Sequence, residues 1–309
     1  MNHSIVIGSR GSKLALWQAE HVKSQLLQID RKTEVRIEII KTTGDVKSDP
    51  LTLIGGKGVF TKELEDALLD ERIDLAVHSL KDLPTILPVG LLIAAICERE
   101  DPRDALVLRS DNTNAVRSLM DLPEQSVVGT SSQRRFSQLK ALRSDLVIKD
   151  VRGNVDTRLR KLDEGEYDAL ILATAGLKRL GQNKRISLMI DPAEMLSAVG
   201  QGAIALETRS KASATLNLIR QLDHLQSRIA CLAERSLLRC LGGGCQFPIA
   251  AAGVIDGNEL KLDGLVAERD GSRLIRDQVT GLIANPEEVG AELAEKLIAL
   301  GAASILNGN

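Results

Sequence analysis

A cysteine behind three consecutive glycines is the first feature of this sequence that could do chemistry. It lies in LGGGCQFP, residues 241–248. Glycine has no Cβ, so the chain before Cys245 can adopt positive φ and leaves room for a large group beside the sulfur. A free cysteine is more often a small buried hydrophobic residue. Because the thiolate is a nucleophile, the alternative is a reactive group or an attachment point.

Asp82 is the second such residue. In HSLKDLP it follows an apolar run and stands beside Lys81. An aspartate in this position commonly forms a turn or caps a helix. The alternative is a carboxylate kept among cations because the reaction develops positive charge. A thiol, one acidic group and a rim of cations would then serve different parts of one reaction.

Basic side chains recur at the ends of predicted strands and in Gly/Ser-rich turns. Convergent arginines suit a ligand with several carboxylates or phosphates, since each arginine can form two parallel hydrogen bonds. Composition leaves both anions open: GGKG lacks the complete phosphate-loop pattern, while GTSSQRR could hold a phosphate at a helix start. The residues of this predicted anion-binding cleft are Arg10, Lys57, Lys81, Arg134, Arg135, Arg152, Arg158 and Arg179.

The elements that must position these side chains alternate between strand and helix patterns. SIVIGSR, TEVRIEII and IDLAVHSL are typical of strands, and Lys13–Ile29 is typical of an amphipathic helix. The alternation predicts a largely parallel sheet with helices on its faces. Ligands of open parallel sheets bind beyond the carboxyl ends of the strands, which is where GSRGS and HSLKD fall.

A second unit of the same kind follows the polar segment EREDPRD, and SAVGQGAIALETR returns with a strand pattern that could rejoin the first unit. Two lobes joined by two crossovers would form a hinged cleft. A smaller unit follows, with a helix containing Cys231 and Cys240, the Gly-rich loop, alternating strands and a closing helix. We predict an N-terminal lobe of residues 1–98 with 199–220, a second lobe of residues 99–198, and a C-terminal α/β domain of residues 221–309.

Composition argues against several other classes of protein. The 309 residues include 43% hydrophobic and 27% charged residues, but only 2% aromatic ones, which disfavours a stacking platform for nucleic acid. The net charge is −2 and no predicted helix has a continuous basic face, so we expect no nucleic-acid partner. We see no signal peptide or membrane span and expect a cytoplasmic protein. Without a CxxC pair, and with scattered histidines, no metal site is expected.

Nine segments, in order, resemble those of the porphobilinogen deaminase family. They are GSRGSKLALWQ, GGKGVFTKELE, DLAVHSLKDLP, EREDPRDA, VGTSSQRR, RGNVDTRL, ATAGLKRLG, AVGQGA and GGGCQFPI. The resemblance implies a monomeric transferase of porphyrin and heme biosynthesis. Such an enzyme polymerises porphobilinogen head to tail, with loss of ammonia, and gives the linear tetrapyrrole hydroxymethylbilane. It also implies an α/β fold with two type II lobes like those of periplasmic binding proteins and a smaller C-terminal α/β domain.

The resemblance also implies roles for single residues. Cys245 would carry a dipyrromethane cofactor through a thioether, and Asp82 would be the catalytic residue. The partners would be porphobilinogen and the growing polypyrrole chain, whose acetate and propionate arms would account for the arginines. The implied cofactor contacts are Cys245, Ser79, Lys81, Asp82, Thr130, Ser132, Arg134, Arg135, Arg152 and Gly153. The implied substrate contacts are Arg10, Ser12, Lys57, Phe60, Arg158, Arg179 and Gln201. Leu53 stands where some members have a lysine, so one peripheral cation is absent.

The main alternative to this transferase is a non-catalytic two-lobed protein that binds a polyanion. The coincidence of Asp82 with Cys245, and the lack of a secretion signal, favour the transferase. A phosphate-dependent or nucleic-acid-binding protein would require a complete phosphate motif or a basic face, and the sequence has neither.

Overall fold

The computed structural model describes residues 4–46, 58, 60–111, 116–243 and 247–307. The chain divides into two compact units, Met1–Glu100 with Ala203–Ile229, and Asp101–Gly202 with Ala230–Asn309. Three residues discussed above, Leu53, Lys57 and Cys245, lie outside the described residues. The three-domain boundaries given above stay a prediction.

The first unit is built on a five-stranded sheet of order β2-β1-β3-β10-β4. Its strands are β1 (Ser4–Ser9), β2 (Glu34–Ile39), β3 (Leu75–Ser79), β4 (Leu91–Ile96) and β10 (Ile204–Arg209). β1 runs parallel to β2 and β3, whereas β10 runs antiparallel to β3 and β4. The segment predicted to return and rejoin the first unit is therefore β10, which lies between β3 and β4 in this unit's sheet.

Helices cover both faces of this sheet. They are α1 (Lys13–Ile29), α2 (Thr43–Val46), α3 (Lys62–Leu69) and α7 (Ser213–Ile219), with 3-10 turns at Leu80–Asp82 and Arg220–Leu222. Side chains alternate between the two faces of a strand. Ile5 and Ile7 of β1 accordingly share a core with Val22 of α1, whereas Val6 shares one with Leu64 of α3.

The second unit contains a sheet of the same design, with order β7-β6-β8-β5-β9. Its strands are β5 (Asp104–Leu108), β6 (Val127–Gly129), β7 (Val147–Lys149), β8 (Ala169–Ala173) and β9 (Leu188–Met189). Its helices are α4 (Gln133–Leu142), α5 (Val155–Asp163) and α6 (Thr174–Arg179), with 3-10 turns at Leu119–Asp121 and Asn183–Arg185. β6 is parallel to β7 and β8, and β5 is antiparallel to β8 and β9.

A three-stranded antiparallel sheet completes the second unit. It consists of β11 (Ile249–Asp256), β12 (Glu259–Ala267) and β13 (Leu274–Leu282), accompanied by α8 (Leu225–Cys240), α9 (Pro286–Leu297), the turn Ile298–Ala302 and α10 (Ala303–Asn307). A Cβ on Gly264 of β12 would lie 2.8 Å from both Leu237 of α8 and Leu293 of α9. The two helices therefore pack closely against the middle strand.

Both five-stranded sheets have the topology of a type II lobe. Three parallel strands are followed, across the sheet, by one antiparallel strand and an edge strand. In each lobe the antiparallel strand is the first strand after the chain crosses over from the other lobe. The predicted fold class, two such α/β lobes with a smaller C-terminal α/β part, is confirmed. Within the described ranges, no helix has the length and apolar character needed to cross a bilayer.

Candidate active site

Ser79, Lys81 and Asp82 lie together at the carboxyl end of β3. Ser79 is the last residue of the strand, and the other two belong to the 3-10 turn that follows. The first amide of this turn donates a hydrogen bond to the carbonyl of Ala203, just before β10 (3.0 Å). The buried side chain of Gln18 donates to Ser79 Oγ at 3.0 Å. The half-buried Asp82 side chain therefore lies in a turn whose backbone is hydrogen-bonded to the residue before β10.

Arg10 and Phe60, two of the predicted substrate contacts, stack on each other. The guanidinium carbon of Arg10, which follows β1, lies 4.2 Å from the centre of the Phe60 ring, a cation–π distance. A Cβ on Gly44 would fall 2.0 Å from that ring, so only glycine leaves space for it. Ser12, by contrast, caps α1: its hydroxyl accepts from the amide of Ala15 at 3.2 Å.

Polar residues also follow the parallel strands of the second unit. Thr130 comes directly after β6, is buried, and accepts a hydrogen bond from the amide of Ser132 (3.2 Å), the N-cap of α4. After β7, the Arg152 side chain donates to Asp150 (2.9 Å), and Gly153 has a φ of 105°. Glycine adopts this φ without strain. The carboxyl ends of parallel strands meet at one sheet edge, so these predicted cofactor contacts share that edge.

Arg134 and Arg135, in the first turn of α4, both bind the carboxylate of Asp104, the fully buried first residue of β5. Arg134 Nη1 donates to Oδ2 at 2.6 Å. Arg135 Nε and Nη2 donate to Oδ1 at 3.1 and 2.8 Å. Gln201 Nε2 donates to the same Oδ1 at 2.8 Å. Three predicted ligand contacts therefore converge on one carboxylate, which the sequence analysis did not single out.

Backbone carbonyls accept further hydrogen bonds from these three side chains and from two more arginines of the predicted site, Arg158 and Arg179. The bonds are Arg134 Nη1 to Leu196 O (2.8 Å), Arg135 Nη1 to Ile171 O (2.9 Å), Gln201 Nε2 to Pro102 O (2.7 Å), Arg158 Nε to Gly153 O (2.8 Å) and Arg179 Nη2 to Gly202 O (2.6 Å). A carbonyl accepts the hydrogen bond without neutralising the charge, so each guanidinium stays cationic.

Positive charge is concentrated around this cluster. Burial by itself would raise the pKa of Asp104, but the two guanidiniums hold that pKa well below its ordinary value. Burial lowers the pKa of Arg134, and burial together with the nearby Arg135 lowers the pKa of Arg158. Arg134 Nε is buried and has no hydrogen-bond partner among the described residues. One carboxylate facing two guanidiniums leaves a net positive charge, which an anionic ligand can compensate.

The cysteines differ in their exposure. Cys97 and Cys231 are buried, whereas Cys240, the last residue of α8, is exposed. The chain after α8 begins to turn at Gly242, which has a φ of 65°. Over the described ranges, no three His, Cys, Asp or Glu side chains are grouped so that they could hold a metal ion.

Each of the two type II lobes has cations and hydroxyls at its strand ends, a set of groups that suits an anionic ligand. Two protein-family models match the chain: porphobilinogen deaminase, dipyromethane cofactor binding domain, over residues 5–217, and porphobilinogen deaminase, C-terminal domain, over residues 228–299. The chain therefore belongs to the porphobilinogen deaminase family. It is a transferase of porphyrin and heme biosynthesis that polymerises porphobilinogen into hydroxymethylbilane and uses a dipyrromethane cofactor. The predicted family, reaction and cofactor are confirmed.

Several solved structures are similar at low sequence identity. The BenM effector binding domain with its effector benzoate is 17% identical, over 71% of this chain and 91% of that chain, with a TM-score of 0.43. The probable amino-acid ABC transporter extracellular-binding protein ytmK from Bacillus subtilis is 11% identical, over 72% and 90%, with a TM-score of 0.43. An ancestral arginine-binding protein bound to arginine is 15% identical, over 72% and 91%, with a TM-score of 0.39. These low scores do not bear on the reaction.

The described residues fit a dipyrromethane that carries acetate and propionate arms. The buried Nε of Arg134 is a donor that lacks an acceptor, and the surrounding cluster has a net positive charge. A carboxylate would satisfy both. The carboxyl oxygens of Asp82 can accept a hydrogen bond, which is what a pyrrole N–H requires.

Proposed function

We propose that Asp82 is the catalytic residue of porphobilinogen polymerisation and that Cys245 carries the dipyrromethane cofactor through a thioether. The observation that carries the first assignment is the position of Asp82. Its half-buried carboxylate follows β3, the middle strand of the sheet, in a turn that is hydrogen-bonded to the chain before β10. Ligands of open α/β sheets bind at the carboxyl edge of the strands.

The chemistry of each condensation explains why a carboxylate is required. The C–N bond of the aminomethyl group breaks and ammonia leaves, while a C–C bond forms to a free pyrrole α-carbon, which then loses its proton. Positive charge develops on the pyrrole as the amine leaves. Asp82 can accept a hydrogen bond from the pyrrole N–H, stabilise that charge and assist protonation of the amine. When bound, the dipyrromethane supplies the pyrrole to which the first substrate is added.

We propose that the polar groups at the strand ends divide between the cofactor and the substrate. The net positive charge around Asp104 supports carboxylate binding in the second unit, and the stacking of Arg10 on Phe60 supports a role for that pair in the first. The cofactor contacts are Ser79, Lys81, Asp82, Thr130, Ser132, Arg134, Arg135, Arg152 and Gly153, beside Cys245. The substrate contacts are Arg10, Ser12, Lys57, Phe60, Arg158, Arg179 and Gln201.

We also propose that the protein acts as a cytoplasmic monomer, without a nucleic-acid or membrane partner. The near-neutral charge of −2 supports the absence of a nucleic-acid partner, because surfaces that bind nucleic acid are strongly basic. The proposed domains remain residues 1–98 with 199–220, 99–198 and 221–309. The insertion of β10 into the first sheet supports the discontinuous first domain.

Intact-mass measurement and turnover of three variants test the proposal. Cys240 is an exposed free thiol that precedes Cys245, so C240S is a matched control for C245S. We expect the wild type and C240S to carry a mass excess of two linked pyrrole units on the peptide containing Cys245, and C245S to lack it. We expect D82A to carry the same excess but to lose turnover.

Three outcomes contradict the proposal in different ways. A normal thioether adduct in C245S would disprove the attachment site. Turnover by D82A near the wild-type rate would disprove the catalytic role of Asp82. A wild-type protein that gains no adduct after incubation with porphobilinogen would instead support the binding-protein alternative.

A further inference from the structure

The structure assigns a role to Asp104: we infer that it is the positioning residue that holds Arg134, Arg135 and Gln201 in their ligand-binding orientation. The inference rests on the proposed function, in which those three side chains contact the cofactor or the substrate. Asp104 itself is fully buried. It therefore acts through the side chains that it binds.

The geometry leaves each of these side chains little freedom. Arg135 presents Nε and Nη2 to one oxygen of Asp104 and Nη1 to the carbonyl of Ile171. Arg134 divides its Nη1 between the other carboxylate oxygen and a backbone carbonyl. A free arginine loses rotamer entropy when a ligand fixes it, so groups that are already fixed bind with higher affinity. Asp104 thus removes an entropic cost from ligand binding.

The charge of Asp104 is as important as its shape. With Asp104 ionised, the cluster of one carboxylate and two buried guanidiniums has a net charge of +1. Without that carboxylate, two neighbouring buried cations would repel each other and would turn away from their common site. One net positive charge and the unsatisfied Nε of Arg134 remain for a ligand carboxylate. Asp104 therefore holds the arginines together while leaving them cationic.

The Asp104→Asn variant tests this role, with Asp145→Asn as the matched control. Asp145 accepts two hydrogen bonds from Arg143, both at 2.7 Å, in the same unit, and neither residue has a proposed ligand role. Steady-state kinetics with porphobilinogen are normalised to the cofactor content found by intact mass. We expect D104N to lower kcat/KM by about 10- to 100-fold, the loss typical of removing a charged hydrogen-bond partner. We expect D145N to stay within about twofold of the wild type, as for changes away from a site.

A purely structural role predicts a different result. D104N would then unfold at a lower temperature than the wild type, as D145N would, but would keep the kcat/KM of the wild type per folded, cofactor-loaded molecule. That result overturns the inference. If the wild type itself formed no tetrapyrrole, the proposed function would fail first, so the two failures are distinguishable.

A second comparison covers the case in which D104N does not fold. The R134M variant and the double variant D104N/R134M are compared with each other. The double variant keeps the net cluster charge of the wild type, +1, since it loses one charge of each sign. Asp104 still positions Arg135 and Gln201 in R134M, so we expect the double variant to have a kcat/KM about tenfold lower. Equal values for the two proteins would overturn the inference.

Discussion

Glu234 joins three segments of the second unit through one buried carboxylate. It lies on α8 and is fully buried. Its Oε2 accepts a hydrogen bond from the amide of Gly200 at 2.7 Å, and its Oε1 accepts one from the amide of Gly253, in β11, at 2.9 Å. Gly200 immediately precedes Gln201, which binds Asp104. We predict that Glu234→Gln destabilises this unit and weakens substrate turnover.

The magnitude follows from the number of acceptors. A glutamine side chain offers one oxygen, so either the buried N–H of Gly200 or the partly buried N–H of Gly253 must face an NH₂ group instead. A hydrogen bond to a charged group contributes about 1.5–3 kcal/mol, and a buried unsatisfied N–H costs about 1–3 kcal/mol. These figures describe the same lost interaction, so the free energy of unfolding should fall by about 1.5–3 kcal/mol. For a unit of this size, that lowers the unfolding temperature by about 3–12 °C.

Thermal and urea unfolding of E234Q measure this loss, and E292Q provides the control. Glu292 is exposed and pairs with Lys296 at 3.3 Å, so its replacement should change the unfolding free energy by less than about 0.5 kcal/mol. We expect kcat/KM to fall in E234Q because the segment that carries Gln201 is less firmly held. If E234Q is as stable as E292Q, the carboxylate does not bridge the two amides and the reasoning is refuted.

Two further predictions concern packing and pH. A Cβ on Gly290 of α9 would lie 2.3 Å from the carbonyl oxygen of Ala233. We expect G290A to lower the unfolding temperature, because overpacking costs about 1–3 kcal/mol whereas the gain in helix propensity is about 1 kcal/mol. An unfolding temperature above that of the wild type would contradict this prediction. Burial and the nearby Glu207 raise the pKa of Glu65. The stability that Glu65 contributes is therefore complete below its ordinary pKa of about 4.3 and is lost as pH rises through the raised value. The free energy of unfolding, measured with denaturant, should change in favour of E65Q relative to the wild type as the pH rises from 4 to 8. A difference between the two proteins that does not change with pH would contradict this prediction.

The elements with a clear local signal were predictable from the sequence. The bounds of α1 are those expected from its apolar spacing, and the helix begins where Ser12 can cap it. The strand β10 was also expected from its pattern, whereas its antiparallel direction was not predicted. β4 and β5 were not predicted, because LLIAAI and DALVL are short apolar runs without alternation. Such runs fill buried strands, but periodicity alone does not separate them from helix segments.

The sequence pattern indicated the arginines of the predicted site but not the carboxylate that two of them bind. Arg134 and Arg135 stood out because two arginines follow a strand and a Ser-rich turn. Asp104 did not, because EREDPRD is a strongly polar segment that resembles exposed surface. It becomes buried only when β5 pairs antiparallel with β8, a contact between residues far apart in the sequence. No local pattern contains that information.

The same carboxylate lies where the chain crosses between the lobes. Asp104 is the first residue of β5, just after the chain crosses from the first lobe to the second. Gln201 lies just before β10, where the chain returns to the first lobe. Gln201 donates both to Asp104 and to the carbonyl of Pro102, so the two crossover segments are hydrogen-bonded to each other within the second unit. Because the pKa of Asp104 is held well below its ordinary value, this link is ionised at neutral pH. Its contribution to stability is present above about pH 3.9, the ordinary pKa of aspartate, and is lost as the pH falls further. One residue thus couples the arginines proposed to bind carboxylates to the segments through which the lobes are connected.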